Sequence, residues 1–199
     1  TFGIELCEDV WAPEPPSTRL SLSGADIIFN LSASDELIGK HNYLCSLLAQ
    51  QSARTMSGYV YSSSGFGEST QDLVYGGNAL IYENGNCIAS SERFSFESQM
   101  VVAQIDYELL RAERRNNTTF INAQRPTSLS HTLPQVRYIN CHSTQIRDFV
   151  LERDINPTPF IPSSADMKDS CEEIFNIQVA GLAKRLVHTN CNTVVIGIS

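Results

Sequence analysis

The sequence lacks the long apolar runs of a membrane protein and the basic excess of a nucleic-acid-binding protein. None of its apolar runs approaches the roughly 20 residues that a transmembrane helix needs. It contains 14 lysines and arginines against 22 acidic residues, which gives a formal net charge of -8. A nucleic-acid-binding surface shows clustered Lys and Arg and a basic isoelectric point. We therefore expect neither a membrane nor a nucleic acid as a partner.

The sequence also lacks the cysteine and histidine spacings that are typical of metal sites. Its six cysteines and four histidines are scattered, and no two cysteines form a C-x-x-C pair. Cys141 and His142 are neighbours, but adjacent residues rarely chelate one metal together. We expect no metal site, free thiols and a reducing compartment, and hence a cytoplasmic protein.

Both ends of the sequence have the pattern of apolar strands. Residues 2–6 open the chain and residues 194–198 nearly close it. Because the termini of domains usually lie in exposed polar segments, we expect the chain to be a piece of a longer polypeptide. The alternative is an intact small domain with an edge strand at each end.

The pattern between the ends is that of an α/β protein. We predict strands over 2–6, 26–31, 59–63, 78–83, 87–90, 99–105 and 194–198. We predict helices from Ser17 to Leu22, between Gly39 and Gly58, from Asp106 to Arg115, and over 171–188 with Asp169 or Ser170 as its cap. Asn84-Gly85 predicts a tight hairpin. Weak periodicity over 116–170 predicts a long connection or arm.

Cys7 is the best candidate for a nucleophile. It lies where a strand ends and a proline-rich loop begins, a position that presents a side chain in a fixed direction. A nucleophilic thiol there needs a cation or a base from elsewhere in the fold. The equally supported alternative is a buried structural cysteine.

Ser32, Ser34 and Lys40 are candidate binding residues. The two serines follow a buried strand, where ligands of α/β folds bind, but such serines also cap or solvate loops. Lys40 opens a helix, where a cation opposes the helix dipole, so it is either placed for an anion or simply solvated. Gly65-Phe66-Gly67 lacks the third glycine and the following helix of a dinucleotide fingerprint, which favours a tight turn.

Several segments together resemble the nitrilase-type glutaminase domain of glutamine-dependent NAD+ synthetases. They are G-I-E-L-C-E-D-V-W over 3–11, P-P-S over 15–17, G-A-D-I-I-F-N-L-S-A-S over 24–34, Gly39-Lys40, Q-S-A-R over 51–54, 59–61, 65–73, 83–85 and S-E-R-F over 91–94. Residues 171–182 and 194–199 resemble the beginning of the synthetase domain of the same family. The resemblance spans nearly the whole chain and is weakest over 117–165.

The resemblance implies roles for four residues of the first part. Cys7 matches the nucleophile that attacks the side-chain amide of glutamine, releases ammonia and leaves a γ-glutamyl thioester for water to hydrolyse. Ser34 matches a glutamine-binding serine, and Lys40 lies where the family has a basic residue that helps to bind glutamine. Glu8 is expected near the substrate. The family's general-base Glu and oxyanion-stabilising Lys precede the nucleophile, and the six residues before Cys7 do not supply them.

The resemblance implies ATP chemistry for the second part. There a strand runs into an S-G-G-x-D-S loop whose N–H groups cradle the ATP phosphates, and Gly197, Ile198 and Ser199 match its start. The implied fold is the C-terminal part of a nitrilase-like α-β-β-α sandwich over 1–125, a linker over 126–168, and the first helix and strand of a Rossmann-like ATP pyrophosphatase-type domain over 169–199.

The implied activity is the ATP-dependent amidation of deamido-NAD+, with glutamine as the nitrogen donor and Mg²⁺ at the ATP step. We expect a homo-oligomer with an enclosed ammonia route, and no activity from the 199 residues alone. One rival is a stand-alone nitrilase-branch amidase that acts on another amide. The other is a non-catalytic module in which Cys7 is structural.

Overall fold

The structure is a computed structural model that describes residues 1–68, 71–125, 133–140, 150–162 and 166–197. By their internal contacts the residues divide into two units, 1–153 and 154–199. The strands are β1 (Phe2–Leu6), β2 (Ile27–Ser32), β3 (Gly58–Ser63), β4 (Ala79–Glu83) and β5 (Asn86–Ser90). The helices are a 3-10 helix (Cys7–Trp11), α1 (Pro16–Leu22), α2 (Lys40–Thr55), α3 (Tyr107–Asn116), α4 (Thr118–Ala123) and α5 (Met167–Thr189).

The first unit is built on one five-stranded sheet in the order β1-β2-β3-β4-β5. β1, β2 and β3 run parallel, and β4 and β5 are added antiparallel. Parallel neighbours need crossover connections, which α1 and α2 provide. The hairpin predicted at Asn84-Gly85 is confirmed: it joins β4 to β5 with φ angles of 46° and 90°, both in the left-handed region that a type I′ turn requires.

The core of this unit lies between one face of the sheet and the helices α1 and α2. It is formed by Val10, Ala25, Ile28, Leu44, Leu48, Tyr59, Tyr61, Leu80 and Tyr82. On the other face Phe2, Ile4, Leu6 and Leu31 are between 54% and 63% exposed. The apolar runs of β1 and β2 predicted cover on both faces, but the described residues leave more than half of each of these four side chains exposed. The second sheet of the expected sandwich is not among them.

The helix predicted between Gly39 and Gly58 is confirmed as α2. Gly39, with a φ of 83°, precedes it, and Met56, with a φ of 46°, ends it. A left-handed conformation costs glycine nothing, whereas Met56 needs support from its surroundings. Arg114 of α3 supplies it, because its Nε donates to the carbonyls of Thr55 at 3.1 Å and Met56 at 3.0 Å. The last turn of α2 is therefore capped by a side chain distant in sequence.

The start of α1 differs from the prediction in its cap. Pro16 occupies the first helical position, where a missing N–H costs nothing, and Pro15 is the N-cap. Ser17, the predicted cap, instead donates its backbone N–H to a carboxylate oxygen of buried Glu5 at 2.7 Å. A carboxylate from β1 therefore satisfies the first turn of α1.

The strand predicted over 99–105 is wrong, because those residues join no sheet. Gln104 binds a later segment instead: its amide donates to the carbonyl of Val150 at 2.7 Å and accepts the N–H of Glu152 at 2.9 Å. α3 then begins as predicted, with the Asp106 carboxylate accepting an N–H of its first turn at 2.9 Å.

The stretch from 116 to 170 contains more structure than its weak periodicity predicts. α4 lies within it and is capped by Asn117, whose side chain accepts the N–H of Phe120 at 2.9 Å. Further on, Arg153 forms a bidentate ion pair with buried Glu83, at 2.8 and 3.0 Å. Residues 150–153 are therefore attached by polar side chains to Gln104 and to Glu83 of β4.

The second unit, as far as it is described, is dominated by α5. This helix begins at Met167 with Asp166 before it, so the predicted caps Asp169 and Ser170 are wrong. Residues 191–197 form no strand, so the strand predicted from Val194 is wrong over the residues described. Among the helices of the described segments, none is long and apolar enough to cross a membrane.

Candidate active site

The three parallel strands bring Cys7 and Ser34, two of the predicted site residues, to one edge of the sheet, beside Ser63. Cys7 follows β1 directly, Ser34 lies shortly after β2, and Ser63 ends β3. The carboxyl ends of parallel strands are where α/β proteins bind their ligands. This edge is therefore the candidate active site.

Cys7 has a left-handed backbone with a φ of 44°. For a residue other than glycine this conformation costs about 1–2 kcal/mol. The chain turns sharply here from β1 into the 3-10 helix, and the Asp9 carboxylate stabilises the turn by accepting the N–H of Leu6 at 2.7 Å. The Cys7 side chain is half-buried. Backbone strain of this kind is found at active sites, where the surrounding structure maintains it.

Trp11 holds the segment after Cys7 against the start of α2. Its ring centroid lies 5.5 Å from that of Tyr43 and 5.6 Å from the Nζ of Lys40. Glu8, on the same short helix, is exposed. Its proximity to a substrate stays a prediction.

Ser34 and Lys40 are both engaged with the loop after β2. The backbone N–H of Ser34 donates to the hydroxyl of Ser63 at 3.2 Å. The Nζ of Lys40 donates to the Asp35 carboxylate at 2.7 Å and to the Asp35 carbonyl at 2.9 Å. The hydrogen bond from Lys40 holds the pKa of Asp35 below its ordinary value. Lys40 is thus paired with the Asp35 carboxylate and is not simply solvated. Glutamine binding by Ser34 and Lys40 stays a prediction.

A cavity of about 410 Å³ lies beside the same loop, and Glu36, His41 and Arg93 are among its lining residues. Glu36 accepts from Arg93 at 2.6 Å and from Asn78 at 2.8 Å. The charge of Glu36 is therefore paired within the protein, and we assign it a structural role. Cys7 is not among the residues that line this cavity.

Sequence reasoning missed a set of buried polar residues behind Cys7. Glu5, Asn30 and Tyr59 are only 2%, 0% and 0% exposed and are connected by hydrogen bonds. A signal was present, because Glu5 and Asn30 are polar residues inside otherwise apolar strands. Buried polar groups require partners, and these partners come from separate strands.

The predicted start of the phosphate loop is only partly described. Gly197 is exposed and lies in no strand, while Ile198 and Ser199 are outside the described residues. Within the described segments no group of three His, Cys, Asp or Glu could hold a metal ion. The ATP and Mg²⁺ site implied by the resemblance stays a prediction.

Two curated relatives are similar to the chain along nearly all of it, although no protein-family model matches. The chain is 38% identical over 198 residues to the glutamine-dependent NAD(+) synthetase of Mycobacterium tuberculosis H37Rv, covering 98% of this chain and 29% of that protein. It is 37% identical to the synthetase of the same name from Mycobacterium leprae, with the same coverage of 98% and 29%.

A solved structure of similar fold bears on the architecture. The carbon-nitrogen hydrolase from Helicobacter pylori G27 matches with a TM-score of 0.51 at 19% identity, over 61% of this chain and 45% of that one. At this identity the likeness concerns the fold alone, and it supports an α/β fold like that of this hydrolase for the part it covers.

The sequence similarity includes both the Cys7 segment and α5, because it extends over 98% of the chain. The chain spans 29% of the length of these curated relatives. It is thus a homologue of one segment of the glutamine-dependent NAD(+) synthetases.

Proposed function

We propose that the whole protein containing this chain is a glutamine-hydrolysing, ATP-dependent NAD+ synthetase in which Cys7 is the nucleophile of the glutaminase site. The observation that carries the proposal is the left-handed backbone of Cys7 at the carboxyl edge of the parallel strands. The names of the relatives supply the choice of glutamine and NAD+.

In the proposed reaction the Cys7 thiolate attacks the side-chain amide carbon of glutamine and forms a C–S bond. The tetrahedral oxyanion collapses, the C–N bond breaks, and the nitrogen takes a proton and leaves as ammonia. Water then attacks the γ-glutamyl thioester, which releases glutamate and restores the thiol. The general base and the oxyanion-stabilising lysine that the family uses are assigned to no residue of this chain.

Ser34, Lys40 and Glu8 are proposed to bind glutamine beside Cys7. Trp11 supports this grouping, because it connects the helix that begins at Cys7 with Lys40. Asp35 holds the Lys40 ammonium at the edge of the sheet, where it can receive the α-carboxylate of the substrate. An ammonium restrained in this way loses less side-chain entropy on binding than a free one.

The synthetase half of the proposal depends on the similarity alone. There ammonia would amidate deamido-NAD+ in a reaction driven by ATP with Mg²⁺, within a cytoplasmic homo-oligomer. No step of that half is derived from the described residues. The rival stand-alone amidase gains no support, because the similarity to the synthetases extends through α5.

The test replaces the thiol in the full-length protein. Cys7→Ala should abolish glutamine-driven NAD+ formation and leave ammonia-driven formation nearly intact, because only the first route needs the nucleophile. Cys87→Ala, which removes an exposed thiol on β5, is the matched control and should leave both rates unchanged. Loss of both routes in Cys7→Ala, or of neither, would contradict the proposal.

A further inference from the structure

We infer that Glu5, Asn30 and Tyr59 are positioning residues that fix the backbone of Cys7 in its reactive conformation. The inference rests on the proposed function, because it assumes that Cys7 is the nucleophile. None of the three is proposed to touch the substrate. Their role is to hold the Cys7 carbonyl through a directed chain of hydrogen bonds.

The chain of hydrogen bonds starts at a buried carboxylate. Glu5 is 2% exposed and lies two residues before Cys7 on β1. One of its oxygens accepts the backbone N–H of Ser17 at 2.7 Å. The other accepts the hydroxyl proton of Tyr59 on β3. Because a carboxylate only accepts hydrogen bonds, Glu5 fixes which group donates in each of the hydrogen bonds that follow.

The same donor-to-acceptor order continues from Tyr59 through Asn30 to the Cys7 carbonyl. The single hydroxyl proton of Tyr59 is given to Glu5, so its oxygen accepts from the Asn30 amide at 3.3 Å. The same amide nitrogen lies 3.5 Å from the carbonyl oxygen of Cys7, a long contact that depends on where Asn30 is held. Ser32 fixes the other end of the amide by donating to its Oδ1 at 2.8 Å.

The protonation of Tyr59 is consistent with this direction. Burial, together with the negative charge of Glu5, raises the pKa of Tyr59 far above its ordinary value. The hydroxyl therefore keeps its proton throughout the working pH range of an enzyme.

This hydrogen-bond network opposes relaxation of the strained backbone at Cys7. A non-glycine residue stays in the left-handed region only when surrounding contacts oppose relaxation. The Asp9 carboxylate holds the backbone before Cys7 through the N–H of Leu6, and the Asn30 amide holds the Cys7 carbonyl. Losing the second contact should let the nucleophile move, and a displacement of about 1 Å can cost about 100-fold in rate.

Substituting Glu5 by glutamine is a sharp test, because it keeps the shape and reverses the polarity. A glutamine amide at position 5 can donate to Tyr59, and the tyrosine hydroxyl then needs a new acceptor. Asn30 meets that need by turning its Oδ1 toward Tyr59, which takes its donor away from the Cys7 carbonyl. Tyr59→Phe breaks the chain at its middle, and Asn30→Asp replaces the donor by an acceptor at nearly constant volume.

The experiment measures glutamine-driven and ammonia-driven NAD+ formation by the full-length protein. For Glu5→Gln, Tyr59→Phe and Asn30→Asp we expect the glutamine-driven kcat to fall about 10- to 100-fold. The KM for glutamine should change less than about twofold, since binding groups are untouched, and the ammonia-driven rate should stay the same. Tyr82→Phe is the control: it removes another buried hydroxyl, whose partners are Cys45 and Cys87.

Two outcomes would overturn the inference while leaving the proposed function intact. One is an unchanged glutamine-driven kcat in Tyr59→Phe and Asn30→Asp. The other is an equal loss of the ammonia-driven rate, which would make the network structural only. A Cys7→Ala variant that keeps its glutamine-driven rate would instead refute the proposed function itself.

Discussion

Lys40 and Asp35 form an ion pair at the start of α2, with 2.7 Å between the ammonium nitrogen and a carboxylate oxygen. The same ammonium lies 5.6 Å from the ring centroid of Trp11, the last residue of the helix that begins at Cys7. The lysine thus connects the loop after β2 with the segment after β1. This position, more than its charge alone, makes Lys40 a candidate for substrate binding.

Lys40→Ala should raise the KM for glutamine about tenfold or more, because a hydrogen bond between charged groups to the α-carboxylate is lost. Asp35→Asn should have a smaller effect, since the ammonium remains. Steady-state kinetics of glutamine-driven NAD+ formation by the full-length protein measure both. Lys184→Ala, at an exposed position on α5, is the control, and an unchanged KM in Lys40→Ala would remove Lys40 from the site.

Arg114→Met should lower the free energy of unfolding by about 1–3 kcal/mol, because the carbonyls of Thr55 and Met56 lose their buried donor. The midpoint of thermal unfolding should fall by several degrees. Arg115→Met is the matched control, since Arg115 is the next residue of α3 and is exposed. Equal shifts in the two variants would contradict the capping role of Arg114.

Arg111→Gln should have an effect that depends on pH. Burial by itself raises the pKa of Asp26, but the hydrogen bonds from the Arg111 guanidinium lower it below its ordinary value. A carboxyl with a lowered folded-state pKa stabilises the fold above its unfolded pKa, near 3.9, and loses that contribution as the pH falls through the folded value.

Arg111→Gln should therefore lower the free energy of unfolding by about 1 kcal/mol from pH 5 to 7, and this loss should shrink below about pH 4. The figure is modest because the Arg111 side chain is 46% exposed. Thermal unfolding of the full-length protein between pH 3 and 7 measures it. Asp26→Asn should remove the same pH dependence, and a cost that persists at pH 3 would assign the effect to packing.

Residues 1–199 expressed alone should be insoluble or loosely packed. Phe2, Ile4, Leu6 and Leu31 form an exposed apolar face of the sheet, and exposed apolar surface with a free strand edge promotes aggregation. Near-UV circular dichroism and a thermal melt test this expectation. A soluble monomer with a sharp cooperative transition would show that these side chains tolerate water.

Local chemistry determined much of the fold in advance. The positions of β1 to β5, the limits of α2, the Asn84-Gly85 hairpin and the Asp106 cap were all predictable, because each depends on neighbours in sequence. Cys7 was predictable as a candidate for the same reason: strand, cysteine and proline-rich loop follow one another. The strand predicted over 99–105 failed because an apolar pattern does not supply a partner strand.

Only the tertiary structure decided the contacts between distant residues. Nothing local shows that Glu5 would cap α1, that Arg114 would close α2, or that Asn30 would reach the Cys7 carbonyl. Each is a buried polar group whose partner is chosen by the packing of the elements and not by sequence spacing. The φ of Cys7 belongs to the same class, since a strained backbone persists only where the assembled fold holds it.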